Sequence, residues 1–518
     1  MFQNTNPTQT TSWKKLKIHR HSFSHNTLKD LFLANPERKT QFTIKLPHLS
    51  FDFSKNNISE NTLQLLEELA GEMKLKEAIH DLFSGQKINT TENRAVLHTA
   101  LRSFKDKGIQ VDGQAIYPSI EDARNKMKIF TEKIISGKWK GFSGKPIDTI
   151  VNIGIGGSDL GPKMVVEALS YYTNHLTTHF ISNVDGDAVQ SVLKKINPET
   201  TLFIVVSKTF TTVETLTNAI TCKKWLLEFT GMEAVQNHFV AVSTNTDAVI
   251  NFGISATNIF PMWDWVGGRF SMWSSVGLSI ALNLGYASFE KFLQGANFID
   301  EHFNTTDFHH NIPALMGLIS VWNTNFNQTK SEAILPYSEA LNQLVPYLQQ
   351  LCMESNGKSI DRNGKKVSYA TGSVVFGSTG TNAQHSFMQL IHQGTEDIPV
   401  DFIGFNASLY GNKHHHQILM ANFKAQSLAL AEGKTKEEVH LSMKFNGEEN
   451  NINQLLAYKT FQGNKVSNSL VFDKLTPYTL GMLIALYEHK VFVQGIIWNI
   501  NSFDQYGVEL GKELAKRF

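Results

Sequence analysis

The chain has 518 residues, room for about two to four domains, and 41% of them are hydrophobic, so large cores can form. Its 48 Lys and Arg nearly cancel 47 Asp and Glu, which argues against nucleic acid or an anionic membrane as the main partner but allows a local basic pocket for a small anion. The two cysteines, Cys222 and Cys352, cannot build a disulfide framework or a four-cysteine metal site, and they fit a reducing, cytoplasmic setting.

The first thirty residues lack the apolar core of a signal peptide. Lys14, Lys15, Lys17 and Arg20 precede the first acid, Asp30, a bias shared with transit peptides; Trp13 and Leu16 read instead as packing residues of an ordinary basic segment. Residues 1–119 read as mostly helical, with Leu63, Leu65, Leu66 and Leu69 as an apolar stripe. From 120 the rhythm changes. Short β-rich runs at 150–153, 180–182, 202–206 and 239–242 alternate with helical stretches, as in βαβ units with a parallel sheet. A second set follows at 333–335, 372–376 and 400–403, separated by helical stretches such as 338–352. The pattern predicts an α/β fold with two doubly wound parallel-sheet subdomains, 120–285 and 286–495. A helical N-terminal region, 1–119, packs on the second, and a C-terminal arm covers 496–518. The longest apolar runs, 276–282 and 480–487, are too short to span a bilayer, so no membrane is expected.

The run at 149–153 leads into Gly154-Ile155-Gly156-Gly157-Ser158-Asp159-Leu160-Gly161-Pro162. Glycines after a strand let backbone N–H groups approach an anion, and the following helix adds free N–H groups and a positive dipole end. Asp159 breaks the dinucleotide glycine pattern, and Pro162 stands where a Walker A lysine belongs, so a nucleotide loop is excluded. The run at 202–206 ends in Ser207-Lys208-Thr209-Phe210-Thr211-Thr212-Val213-Glu214, where Thr211 and Glu214 have the spacing of a capping box. Capping explains one or two hydroxyls. It does not explain Lys208 beside a helix N-terminus, where the dipole disfavours a cation unless an anion is bound. Two such loops on one sheet point to a phosphate monoester.

Further on, Gly267-Gly268-Arg269-Phe270-Ser271 forms a loop in which Arg269 can hold an oxyanion with several donors. Leu341, Leu344, Leu348 and Leu351 make the buried face of a helix with a kink at Pro346, and Glu354 falls in its last turn, where the dipole disfavours an anion. Gly380-Thr381-Asn382-Ala383-Gln384-His385 places His385 early in a helix, and Asp504-Gln505-Tyr506-Gly507-Val508-Glu509-Leu510-Gly511-Lys512 nearly closes the chain. Cys352 shares the apolar stripe and reads as a buried thiol rather than a nucleophile. His414, His415 and His416 point in different directions on regular structure, with no further ligand at usable spacing, so neither metal nor cofactor is expected.

In combination these segments resemble the glucose-6-phosphate isomerase family of the eukaryotic and common bacterial type. The likeness rests on 154–162, 207–215, 264–277, 353–358, 380–394 and 502–512 in the family's order, with 28–55 also similar. Tyr506 departs from the family's usual Trp. The resemblance implies two sugar-isomerase subdomains of flavodoxin-like kind. It implies reversible isomerisation of glucose 6-phosphate and fructose 6-phosphate, through ring opening and an enediolate, in glycolysis and gluconeogenesis. By the same resemblance Gly157, Ser158, Ser207, Lys208, Thr209 and Thr212 hold the phosphate, and Gln350 and Gln505 line the site. His385 and Lys512 assist ring opening, Glu354 moves the proton between C1 and C2, and Arg269 stabilises the enediolate. A homodimer is implied, with His385 reaching the partner's site. The chemistry agrees: such a reaction needs a base for a carbon-bound proton and positive charge where the enediolate forms. A phosphosugar-binding protein without catalysis would need the two phosphate loops only.

Overall fold

The computed structural model describes residues 4–23, 25–515 and 517. Two sheets organise the α/β fold. The first has five parallel strands, in spatial order Thr177–Ile181, Thr149–Ile153, Thr201–Val206, Phe239–Val242 and Ile259–Phe260. Thr201–Val206 is buried at every position, which is why it reads as an unbroken apolar run. The order of connection reverses between Thr149–Ile153 and Thr201–Val206, so the loops at 154–158 and 207–212 leave neighbouring strand ends at the crevice where such sheets bind ligands.

The second sheet has six strands, in spatial order Thr43–Leu46, Leu49–Asp52, Ser467–Lys474, Val400–Ala407, Ser331–Pro336 and Val374–Gly377. The last four are parallel. The N-terminal hairpin adds to them antiparallel, with Phe51 opposite Leu470. Region 1–119 is therefore not only helical, and this sheet is not wholly parallel. Ser467–Lys474 had no counterpart in the sequence reading. The strand expected at 180–182 runs Thr177–Ile181 and stops before Ser182.

One apolar cluster joins the sheets, from Ile150 and Leu202 through Leu483 and Ile484 to Ile403 and Leu470. At its centre lies Pro477–Ile497, which is long and apolar enough to cross a membrane by length and composition. The expectation that its apolar run is too short is thereby corrected. The helix is buried inside the protein, packed on Tyr286–Thr305 and Ile312–Val321. Trp13 and Leu16 are also buried in this cluster.

The central helix carries Glu488, His489 and Lys490 in succession, all buried and each with a partner elsewhere. Arg102 donates through Nε and Nη2 to both oxygens of Asp300 at 2.6 Å, and through Nη1 to Glu488. His489 Nε2 lies 2.7 Å from the same Asp300 carboxylate, and the Trp273 indole donates to Glu488 at 2.8 Å. Burial alone would raise Asp300, but the Arg102 guanidinium and the His489 N–H outweigh it and hold the carboxyl down at about 2. Glu488 shares Arg102 yet ends above the usual range, because burial wins where one Arg N–H and one indole are the donors. Lys490 donates to Glu332 at 2.9 Å and lies 3.5 Å from Asp401; burial would lower it, but these two carboxylates raise it.

His302 gives the fold a pH dependence. Its Nε2 accepts the N–H of Ile312, at the start of Ile312–Val321, at 3.1 Å, so Nδ1 carries the proton towards the Thr306 hydroxyl at 3.1 Å. Burial, then the nearby His489, push the ring down from 6.5 to about 4. Between those values the unfolded chain binds more protons than the folded one, so stability present above pH 6.5 is lost as pH falls towards 4. His98 and His489, also lowered by burial, act with the same sign. The melting temperature is expected to fall between pH 7 and 5, and His302→Gln to flatten that slope. An unchanged slope in the variant would assign the titration elsewhere.

Candidate active site

The loop after Thr149–Ile153 makes a 3-10 turn at Gly156–Ser158 and enters the helix Leu160–Ala168. Gly156 sits at φ +59, and a Cβ on Gly157 would collide with the carbonyl of Gly268 and the amide of Arg269. Glycine at 157 is thus what lets the loop lie against the turn bearing Arg269. Ser158 is half-buried, and its carbonyl accepts from the Asn152 amide at 3.1 Å. Burial pushes the Asp159 carboxyl up to about 6.

In the second loop Thr212, not Thr211, precedes the helix Val213–Leu227, and the capping box expected from Thr211 and Glu214 does not form. Thr211 instead meets the hydroxyl of Thr209 at 2.6 Å, while Ser207 Oγ donates to Thr212 Oγ1 at 3.3 Å. Buried Phe210, at φ +53, pins the turn. Hydroxyls and N–H groups therefore stand at the mouth of this helix without being consumed by capping. Lys208 reaches the loop before Arg269. Its Nζ donates to the carbonyls of Asp264 at 3.1 Å and Val266 at 3.5 Å, and burial lowers its pKa. The expected conflict between Lys208 and the dipole is relieved by those carbonyls.

Arg269 lies on the 3-10 turn Gly268–Trp273 and is 2% exposed. Nε donates to Ser355 Oγ at 2.7 Å; Nη2 donates to the carbonyls of Ser502 at 2.6 Å and Asp504 at 3.1 Å. Nη1 lies 3.3 Å from Glu354 Oε2 and donates to Gln505 Oε1 at 3.3 Å. Burial lowers the guanidinium's pKa, against the pull of Glu354 and Asp504, and an arginine so paired stays cationic.

Glu354 ends a π turn, Gln350–Glu354, that widens the helix Leu344–Gln349. π turns inside helices occur often at functional sites. Pro346 lies in the first turn of that helix, where its missing N–H costs no hydrogen bond. Leu341, Leu344, Leu348 and Leu351 are buried as expected, and burial pushes the Cys352 thiol well up. The Glu354 carboxylate opens on a cavity of about 720 Å³ shared with Lys358, Asp504, Gln505 and Tyr506. Gln350 Nε2 comes within 3.2 Å of where a Cβ on Gly156 would stand, so this helix also touches the glycine loop.

Arg269, Glu354, Gln350 and Gln505 thus converge, from segments far apart in sequence, next to the glycine loop at Gly156 and Gly157. Of the residues expected in the site, Glu354 and Gln505 line the cavity, whereas Arg269, Gln350, the phosphate-loop residues, His385 and Lys512 do not. His385 is exposed and ends the short helix Gly380–Gln384, instead of standing early in it. Lys512 is exposed on the helix Glu509–Ala515. Sequence reasoning assigned no role to Ser355, Ser502, Thr91 or Lys358. Lys358 carried a weaker signal, a basic residue four positions after Glu354, just past the end of the helix. The carbonyls that hold Arg269 have no side-chain signature. Among the described residues no three His, Cys, Asp or Glu side chains are grouped as metal ligands.

A family model described as phosphoglucose isomerase matches residues 52–518. Over 519 aligned residues the chain is 54% identical to a glucose-6-phosphate isomerase of Christiangramia forsetii, covering 100% of this chain and 95% of that protein. It is 53% identical to a glucose-6-phosphate isomerase of Buchnera aphidicola subsp. Schizaphis graminum, covering 99% and 93%. A crystal structure of a glucose-6-phosphate isomerase from Chlamydia trachomatis superimposes with a TM-score of 0.88 at 34% identity, covering 99% of this chain and 96% of that one.

Proposed function

The chain belongs to the phosphoglucose isomerase family and catalyses the reversible isomerisation of glucose 6-phosphate and fructose 6-phosphate, and we propose that it does so at the junction of the 154–158 loop, the Arg269 turn and Glu354. The observation that carries this placement is the buried Arg269 guanidinium 3.3 Å from the Glu354 carboxylate, beside a glycine loop at a strand end.

The phosphate sits between the two loops, taking the backbone N–H of Gly157 and the hydroxyls of Ser158, Ser207, Thr209 and Thr212. Lys208 has three N–H donors and uses two on carbonyls, so one is left for the phosphate while the others brace the loop before Arg269. With the phosphate fixed, C1 and C2 of the open-chain sugar lie over Glu354, flanked by Gln350. The Glu354 carboxylate removes the C2 proton of the aldose and returns it to C1, while the O2 hydroxyl proton passes to O1. The charge this puts on the enediolate oxygen meets Arg269, whose 3.3 Å bond to Gln505 is the weakest of its hydrogen bonds and the first to exchange for substrate. His385 and Lys512 move the ring oxygen and hydroxyl protons during opening.

His385 is exposed at the end of its helix, and in this reading it serves ring opening in the site of a second subunit. The functional unit is then a homodimer in the cytoplasm, consistent with two buried free thiols. Mixed dimers test this. Glu354→Gln and His385→Ala are each expected to be nearly inactive alone. Co-expressed in equal amounts, half of the dimers are mixed and each has one complete site, so about a quarter of wild-type activity returns. No recovery in verified mixed dimers would place both residues in one subunit's site or remove His385 from it.

A further inference from the structure

The helix Glu509–Ala515, which carries Lys512, is exposed along its length. Among the described residues no side-chain hydrogen bond or ion pair ties 509–515 to the rest of the protein. Its placement depends on the segment just before it, and that segment is fastened at unusual depth.

We propose that Lys358, Asp504 and Thr91 form a latch that positions the C-terminal segment against the helix bearing Glu354. Asp504 uses both carboxylate oxygens: Oδ1 accepts from Lys358 Nζ at 2.6 Å and Oδ2 from Thr91 Oγ1 at 2.7 Å. Its carbonyl accepts from the same Nζ at 2.8 Å and from Arg269 at 3.1 Å. The Lys358 and Asp504 side chains are 17% and 8% exposed, against 55% and 31% for the surface pair Lys145–Glu199. Water competes weakly at such a site, so the pair holds a geometry that a surface pair does not. Two neutral bonds extend the seam: Thr90 Oγ1 to Asn501 Oδ1 at 3.1 Å and Tyr506 Oη to the Thr91 carbonyl at 3.2 Å.

The three partners come from distant parts of the chain; Thr91 lines the cavity with Glu354, and the other two border groups the reaction uses. Lys358 follows Glu354 by four residues, Asp504 precedes Gln505, and the helix of Lys512 begins at Glu509. Opening the latch frees Gln505 and Lys512 together and withdraws the Asp504 carbonyl from Arg269, while Ser502 stays held by Asn356. The phosphate loops lie outside it. Lys358, Asp504 and Thr91 are thus positioning residues, a role that rests on the site proposed above for Gln505 and Lys512.

A double-mutant cycle on the full-length enzyme tests the latch. Lys358→Met and Asp504→Asn are each expected to lower kcat for glucose 6-phosphate, with KM changed little. The double variant is expected to lose no more than the worse single, a departure of about tenfold or more from the product of the two losses. Hydrogen exchange at 505–515 is expected to speed up in each single variant while the central helix Pro477–Ile497 stays protected. A merely structural pair would raise exchange throughout and leave kcat per folded molecule intact. Unchanged exchange at 505–515, or losses that multiply, would overturn the latch. Lys512→Ala is measured alongside: full activity there would overturn the assignment of Lys512, whereas the exchange result judges the latch whatever Lys512 does.

Discussion

Glu354→Gln is expected to lower kcat by about 10²–10⁴-fold, the usual contribution of a positioned general base. The amide keeps the size of the carboxylate and can still accept from Arg269, so the site should assemble and bind substrate. What is lost is the group that takes a proton from carbon. Ring opening uses other side chains and should survive. The variant should therefore still interconvert the anomers of glucose 6-phosphate while solvent deuterium no longer enters at C2. Both can be followed in one NMR experiment. Exchange at C2 at the wild-type rate would remove Glu354 from the proton transfer. Loss of anomer interconversion as well would mean that the substitution had damaged the site as a whole.

The second large effect concerns stability. Asp300→Ala leaves the Arg102 guanidinium and the His489 ring without their shared acceptor in a region closed to water, and breaking such a buried pair costs about 3–5 kcal/mol. Lys15→Ala, which opens the exposed pair with Glu68, should change stability by about 1 kcal/mol or less. Urea unfolding followed by far-ultraviolet circular dichroism separates the two. A loss near 1 kcal/mol or below for Asp300→Ala would show that Arg102 finds another partner or that water enters. The network also bears on activity, because Glu488 holds Trp273 on the turn that carries Arg269 and the Tyr347 hydroxyl donates to the Arg269 carbonyl at 3.4 Å. A partially folded Asp300 variant should therefore show lower kcat as well as a lower unfolding midpoint.

Much of the first sheet could be read directly, because strands such as Thr201–Val206 are covered on both faces and show as unbroken apolar runs. The hairpin at 43–52 could not. Ile44, Leu46, Leu49 and Phe51 do alternate with polar residues, but each run is only four residues long, and what holds it as a pair of strands is the side of Ser467–Lys474 on which it adds. That strand, interior in the finished sheet, is itself half polar. In the site, residue types and loop glycines pointed to phosphate and to acid–base chemistry, and the apolar stripe leading to Glu354 was correct. The meeting of Arg269 with Glu354 was not legible, since nothing local in either segment encodes the other. Thr211 and Glu214 have the right spacing for a capping box, yet the Thr209 hydroxyl competes for Thr211. The direction of Lys208 was missed for a similar reason: its partners are carbonyls, which every residue carries.

The antiparallel seam between Leu49–Asp52 and Ser467–Lys474 also sets a timetable for synthesis. Roughly 400 residues lie between the two strands, so at about 5–20 residues per second the hairpin waits some tens of seconds for the strand it pairs with. Throughout that interval one side of the hairpin offers unpaired N–H and carbonyl groups, the kind of edge that recruits strands from neighbouring chains. The central helix, whose ionisable residues answer Arg102, Asp300 and Glu332, leaves the ribosome later still. A nascent chain can complete its first sheet as it emerges, but the second closes only at the end. Chaperone demand in a cell making this protein should therefore be concentrated on chains released before residue 474, and premature termination beyond the first sheet should yield aggregates, not a smaller working enzyme.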